Sequence, residues 1–179
     1  MLDEAGGVSV LLRDVRPDDV HAYVRMRCDP VMMADLGGPL PVDGIAAKVE
    51  RDVQSAAADT QWIKMIVPDA ADPTTVAGSV ALWTHDLDDG PVSEIGWMVL
   101  PEFQGRGLAR WAAGTLLRRA AADGRWGSVH AYPAVSNVAS NGVCRSLGFT
   151  LLGETSVPFA DRVIRSHHWV IDPRADLVD

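Results

Sequence analysis

A mixed α/β (α+β) sheet flanked by helices, folded as a single domain over residues 1–179, is the architecture the sequence predicts. Three observations carry that expectation. Strand-like apolar runs and helical runs alternate only after residue 92, a pattern that gives a mixed sheet. Two runs in the second half carry apolar residues at helical spacing. The 179 residues are 47% hydrophobic and 22% charged, a balance suited to one globular domain and not to a disordered tail.

The elements follow in order. Val8 to Arg13 predicts a first strand. Pro17 opens a helical run to about Cys28, with Asp18 and Asp19 at the positive end of its dipole. Pro30 starts an irregular stretch, and LGGPLP (Leu36 to Pro41) is a rigid loop marked by glycine and proline. Asp43 is placed to cap a second helix that runs to about Ala58. Two strand-like runs, Trp62 to Val67 and Thr75 to Thr84, flank the turn sequence PDAADP, and a polar loop, HDLDDGP, leads into a strand from Val92 to Leu100. Gly107 to Ala122 is helical, with Leu108, Ala112 and Leu116 on its apolar stripe. A short strand, Ser128 to Tyr132, precedes a helix from Ser136 to Leu147 whose Ala139, Val143 and Leu147 recur every four residues as a core stripe. Gly148 is placed to end that helix in the left-handed conformation, and Phe149 to Leu152 and Val163 to Ile171 supply the last strands.

Composition narrows the function classes. A net charge of −8 argues against general nucleic-acid binding, which needs clustered Lys and Arg on phosphates. No apolar stretch approaches the ~20 residues that span a bilayer, and the acidic N-terminus does not resemble a signal peptide. Cys28 and Cys144 fall on segments with helical character, so no disulfide framework is expected and a cytoplasmic location follows. Arg106, Arg110, Arg118, Arg119 and Arg125 crowd one region while Asp86, Asp88 and Asp89 crowd another. One part of the surface therefore attracts anions and another cations.

The chemistry concentrates in EIGWMVLPEFQGRGLAR, Glu94 to Arg110. A strand ends at Leu100, Pro101 halts pairing, and a turn with Gly105 and Gly107 opens a helix. The first N–H groups of a helix lack internal partners and carry partial positive charge, so a strand–turn–helix of this form is a ready anion site. A dinucleotide fingerprint fails, because its last glycine position is Arg110, and the P-loop string is absent.

The string that fits is Q-x-x-G-x-A, formed by Gln104, Gly107 and Ala109. With it, the chain resembles the GNAT superfamily of acyl-CoA-dependent N-acyltransferases. Downstream, NVASNGVCRSLGF (Asn137 to Phe149) is similar to that family's second signature, N-x-x-S-x-x-V-x-x-x-L-G-F. Together with EIGWMV, these motifs resemble the branch containing the ribosomal-protein acetylases RimJ and RimL. The resemblance covers about residues 92–153, and it implies a mostly antiparallel central sheet.

The resemblance also implies site residues. Backbone N–H groups of Gln104, Gly105, Arg106, Gly107, Leu108 and Ala109 would hold the pyrophosphate of acetyl-CoA, with the Arg106 side chain as an added cation. The pantetheine arm would lie along Met98, Val99 and Leu100, and Asn137 would contact it, although Asn137 is also suited to cap its helix. The implied reaction is direct attack of a neutral amine on the thioester, which calls for a base, an oxyanion donor and an acid for the thiolate. Glu94 is the first candidate base, on one strand face with Gly96 and Met98 unless Gly96 marks a bulge; Glu154 is the alternative.

For the acid, Cys144 stands where many family members have Tyr, so Ser140, one turn from Asn137 and Cys144, takes that place. Cys144 itself suits a small buried residue better than a nucleophile. Arg110 and Arg145 are candidates for the 3′-phosphate. His167 and His168 face opposite ways on a strand, so they form no simple metal pair, though one of them can line an acceptor pocket. Trp62, Trp83 and Trp97 suit core or pocket wall. The expected partners are acetyl-CoA and an amine, either a protein N-terminus or a small molecule, with no metal, nucleic acid or membrane and with a homodimer as one arrangement. A binding module that has lost catalysis, or an enzyme using a larger donor such as succinyl-CoA, would keep the same motifs.

Overall fold

The computed structural model describes residues 9–87 and 90–177. Seven strands form one sheet in the order β1-β2-β3-β4-β5-β7-β6. They are β1 (Leu11–Asp14), β2 (Trp62–Val67), β3 (Gly78–Leu87), β4 (Gly90–Val99), β5 (Val129–Ala131), β6 (Thr150–Phe159) and β7 (Arg162–Ile171). The helices are α1 (Val20–Arg27), α2 (Ile45–Ala57), α3 (Leu108–Asp123) and α4 (Val138–Ser146). Every neighbouring pair is antiparallel except β4 with β5. The mixed, mostly antiparallel sheet flanked by helices is the expected fold class.

Alternation along the strands divides the core in two. Val80, Leu82, Ile95, Val129, Trp169 and Ile171 meet α3 and α4 on one face. Ile63 and Met65 meet Tyr23 and Met26 of α1 and Ile45 and Val49 of α2 on the other. Helices α1 and α2 are also tied by a polar contact: the Tyr23 hydroxyl donates to Asp52 Oδ2 at 2.8 Å, and Lys48 Nζ lies 2.9 Å from the same oxygen. Leu108, Ala112 and Leu116 are buried as the stripe on α3 requires.

Several local expectations change. The polar loop His85 to Pro91 is largely strand: His85, Asp86 and Leu87 pair with Val92, Pro91 and Gly90, while Asp88 and Asp89 lie outside the described residues. Asp43 does not cap α2; Gly44 holds the N-cap position at φ 92° with no side-chain bond. Asp19 holds the N-cap position of α1, at the expected end of the helix, but its side chain does not cap it; it accepts from both Arg13 guanidinium ends at 2.8 and 2.7 Å and from the Arg16 N–H at 2.7 Å. Ala139 is exposed, and the buried face of α4 is Asn141, Cys144 and the following Leu147. Strand β6 runs past Leu152 to Phe159, paired with β7 as far as Phe159↔Arg162; a register shift between Leu151 and Gly153 and the mostly polar residues after it hid the continuation. Gly148 takes φ 86°, as the end of α4 requires.

Gly78 shows how tightly β4 is held. A Cβ there would stand 2.1 Å from the Met98 carbonyl oxygen, on the strand that lines the site. Gly142, inside α4, faces open space. Gly78→Ala is therefore expected to lower the unfolding free energy by more than about 1 kcal/mol through backbone displacement. Gly142→Ala should raise it by roughly 0.5–1 kcal/mol through helix propensity. Urea titration of both variants checks the opposite signs.

Candidate active site

The turn between β4 and α3 is built to present its main chain. Leu100 is followed by a 3₁₀ turn, Pro101–Phe103, and the Gln104 side chain donates to the Val99 carbonyl at 2.8 Å, clamping the turn to the strand end. Gly105 and Gly107 take φ 73° and 74°, and a Cβ on either would meet nothing within 4 Å. Helix α3 begins at Leu108 without a side-chain cap. Among the described residues, no N–H from Gly105 to Arg110 donates to another protein group; the ladder starts with Trp111 N–H to Gly107 carbonyl at 2.9 Å. These donors converge at the positive end of a 16-residue helix, which suits an anion such as a pyrophosphate. The Arg106 side chain bends back, donating to the Glu102 carbonyl at 2.8 Å with its guanidinium 5.4 Å from the Phe103 ring centre.

Strand β4 supplies the second feature. It pairs with β3 along its whole length, from Gly78↔Val99 to Leu87↔Gly90. With β5 it pairs only at Ser93↔Val129 and Glu94↔His130. From Ile95 to Val99 the strand therefore has a free edge on that side, and Met98 and Val99 lie on it directly before the glycine turn. An extended chain with amide groups can pair with such an edge. Leu100 is buried in the core, its N–H bonded to the Ala77 carbonyl.

Glu94 sits where the two strands part. It shares a face with Trp83, Gly96 and Met98, and no register shift occurs at Gly96, so the glycine makes no bulge. Instead a Cβ on Gly96 would lie 3.2 Å from the Trp83 ring. Burial alone pushes the Glu94 carboxyl up to about 7. His85 Nε2 lies 2.9 Å from Glu94 Oε2, so an imidazole stands directly beside the carboxyl.

Helix α4 carries the second motif. Asn137 Oδ1 accepts from the Ser140 N–H at 2.9 Å, so Asn137 is the helix cap. Ser140 is half-buried, and its hydroxyl has no protein partner among the described residues. Asn141, overlooked in the sequence, is 2% exposed and joins three segments. Its Nδ2 donates to the Ala134 and Asn137 carbonyls, and its Oδ1 accepts from Trp169 Nε1 at 2.9 Å and His167 Nδ1 at 2.7 Å. A second Asn directly after Ser140 was the available signal. Cys144 is fully buried and its thiol is pushed up to about 12 by burial, which makes it inert and no substitute acid.

The remaining candidates scatter. Glu154 is on β6, opposite His167, with Arg165 Nε donating to it at 2.6 Å. That is the α4 face of the sheet, away from the face of Glu94. Asp86 is exposed and alternates to the α3 face, so it does not stand beside Glu94. Arg110 is exposed, and the Arg145 guanidinium lies 5.6 Å from the Trp169 ring centre. Trp62 and Trp97 pack on the α3-side core, whereas Trp83 is on the Glu94 face. His167 serves Asn141, while His168 points to the Glu94 face. Among the described residues, no group of three or more His, Cys, Asp or Glu could hold a metal, and no helix is long and apolar enough to cross a membrane.

Comparison with known proteins places the fold. An acetyltransferase of the GNAT family from Bacillus anthracis superposes with a TM-score of 0.75 at 16% identity, over 93% of this chain and 97% of that one. The ribosomal L7/L12 alpha-N-protein acetyltransferase RimL matches with a TM-score of 0.72 at 17% identity, covering 96% and 98%. The microcin C7 self immunity acetyltransferase MccE, solved in complex with acetyl-CoA and AMP, matches at 0.73 and 16%, covering 91% and 92%. Identities this low show a shared fold. The family model described as an acetyltransferase (GNAT) domain matches residues 9–150, and with that span and this strand–turn–helix at its centre, the chain belongs to the GNAT acetyltransferase family.

Proposed function

We propose that the protein transfers an acetyl group from acetyl-CoA to an amine by direct attack within a ternary complex. The observation that carries this reading is the row of unpartnered N–H groups from Gly105 to Arg110, set beside the free edge of β4. A pyrophosphate would take the N–H groups of Gly105 to Ala109, since that of Gln104, expected to join them, is already bonded to the Pro101 carbonyl at 3.2 Å, and an amide-bearing arm would pair with Met98 and Val99. The arm supplies the thioester; the protein supplies position and proton transfer. Complexes of relatives with acetyl-CoA support this donor, and a larger acyl-CoA is an outcome the same assay would reveal. The motif N-x-x-S-x-x-V around Ser140 supports assignment to the RimJ/RimL-like branch, whose acceptors include protein N-termini. The decisive experiment is a screen of primary amines and peptide N-termini with acetyl-CoA, read by product mass. Binding of acetyl-CoA with no product from any acceptor would favour a module that binds without catalysis.

In this reading Glu94 is the base. An ammonium has no lone pair for attack, and a buried carboxyl poised at about 7 accepts its proton near neutral pH. Ser140, capped at its N–H but free at its hydroxyl, is the proton donor to the departing thiolate.

Three outcomes are expected. Gly107→Glu should abolish acetyl-CoA binding by calorimetry, because a carboxylate enters the anion site and a side chain strains φ 74°; unchanged affinity in a folded variant would remove the turn from the site. Ser140→Ala should lower kcat roughly 10- to 100-fold with little change in KM for acetyl-CoA. Should Cys144→Ala be the inactive variant instead, the donor assignment fails.

Glu94→Gln should lower kcat/KM most near neutral pH and recover in part at alkaline pH, where more acceptor is already neutral. It should also be more stable than wild type at high pH. The native carboxyl binds its proton more tightly than the unfolded one, so wild-type stability falls as pH rises from about 4.5 to about 7. A shift of this size corresponds to on the order of 3 kcal/mol. Thermal melts across that window test the sign: a constant difference between the two proteins would show that Glu94 is not buried as described.

A further inference from the structure

Two large aromatic side chains on the Glu94 face belong to neither core. Trp62, Trp97, Trp111, Trp126 and Trp169 all pack with the cluster under α3 and α4, whereas Trp83 and Tyr132 stay outside both clusters and half-buried. Trp83, Glu94 and His130 are register partners on three successive strands, so an indole and an imidazole flank the carboxyl. The Trp83 ring lies 3.2 Å from the place a Cβ on Gly96 would take, one step along β4 toward Met98. On the other side the rings of His130 and Tyr132 are inclined by only 12°. His168 completes that wall, its ring centre 4.7 Å from that of Tyr132 and its Nε2 2.7 Å from His130 Nδ1.

The spacing of the two walls defines what fits between them. Neighbouring strands lie about 4.8 Å apart, so Trp83 and His130 rise from backbones about 10 Å apart. A flat ring midway lies about 5 Å from each wall, inside the roughly 4.5–7 Å range at which aromatic pairs attract, by face or by edge. Charge narrows the occupant further. Glu94 is the one acid in this row, and among the described residues no Arg or Lys pairs with any of these side chains. Burial lowers the proton affinity of His130 and His168, so both rings are neutral near pH 7. One carboxyl suits one ammonium. A polyamine would call for further acids, and a carboxylate or phosphate on the acceptor would call for an arginine or lysine.

We propose that the acceptor is a primary amine carried on an aromatic body, its ring held between Trp83 and the Tyr132–His168 wall and its amino group on Glu94. The proposal rests on the reading of this site as one of acetyl transfer, and it names the acceptor class. Trp83 and Tyr132 are specificity-determining residues here: they touch the body of the acceptor and leave the chemistry to Glu94 and the donor. Their position outside both cores follows, because a large ring that packs against no helix is left free for a ligand.

The test compares 2-phenylethylamine with 2-cyclohexylethylamine on the full chain with acetyl-CoA. The two amines match in charge and closely in size, but the second has no π face. Wild type is expected to show kcat/KM about tenfold higher for the phenyl amine, the gain from stacking on two walls. Trp83→Leu and Tyr132→Leu should each bring that ratio toward one, while Trp83→Phe and Tyr132→Phe, which keep a ring, preserve it. Calorimetric titration with acetyl-CoA shows that each variant is folded. Spermidine and O-phosphoethanolamine are the polycationic and anionic probes, and both should be poorer acceptors than the phenyl amine.

Equal rates for the two rings, or faster acetylation of spermidine or O-phosphoethanolamine, would overturn the aromatic slot and leave the transfer reaction standing. Binding of 2-phenylethylamine to the CoA-loaded protein, measured by calorimetry, is a readout independent of turnover, and Trp83→Leu should weaken it about fivefold or more. Such binding with no acetylated product keeps the slot and overturns the transfer reading. Absence of binding overturns the slot.

Discussion

The parting of β4 from β5 is the constraint on which the rest of the structure depends. An antiparallel strand can pair along its full length, and β4 does so with β3 over ten residue pairs. Its parallel partner follows it for only two. Strand β5 is three residues long and pairs with β7 on its far side, so the sheet stays continuous while β4 keeps five residues of free edge. The opening is kept from collapsing by packing behind it. Ile95 on one side and Val129 and Ala131 on the other are anchored in the same core under α3, which fixes both walls without closing them.

Helices α3 and α4 are placed by that opening. Helix α3 starts directly after β4, so its uncapped N-terminus lies at the end of the free edge, and Gln104 ties the turn back to Val99. Helix α4 follows the loop after β5, and Asn141 fastens it to β7 through Trp169 and His167. The far side is bridged by the segment between α1 and α2. Ser136 donates to Asp35, and Arg162 donates to the Leu36 and Gly38 carbonyls, linking that segment to the β6–β7 hairpin. A Cβ on Gly37 would lie 2.6 Å from Arg162, so the glycine loop is shaped for this contact.

Much of this was legible because it follows from local chemistry. Gly105 and Gly107 need positive φ, Pro101 stops pairing, and the stripe of Leu108, Ala112 and Leu116 has only one buried reading. The two family motifs drew attention to Glu94 and Asn137, and the structure buries the first where β4 and β5 part and makes the second the cap of α4. What the sequence did not disclose is long-range. His130 and His168 are 38 residues apart, and only the strand order β5-β7 brings their rings together. Asn141 looked like one more polar residue on a helix, because its burial depends on Trp169 arriving from another strand. Asp43 and the HDLDDGP segment misled for the opposite reason. Polar residues that favour caps and loops in isolation yielded to Gly44 at the helix start and to the β3–β4 ladder.

Burial and basicity at Glu94 pull against each other, and the cluster around it follows from that tension. Moving a carboxylate out of water raises its proton affinity, which suits a base near neutral pH but weakens the native state whenever the group ionises. A cation fixed against it would relieve the instability and abolish the basicity. The chain instead sets imidazoles and a phenol on this face: His85 beside Glu94, His130 in the paired position, and Tyr132 and His168 beyond. Arg165 is held by Glu154 on the opposite face, and Arg13, on the same face but out on β1, is held by Asp19. The proton affinity of Glu94 and its cost to the native state are therefore set by one choice of neighbours.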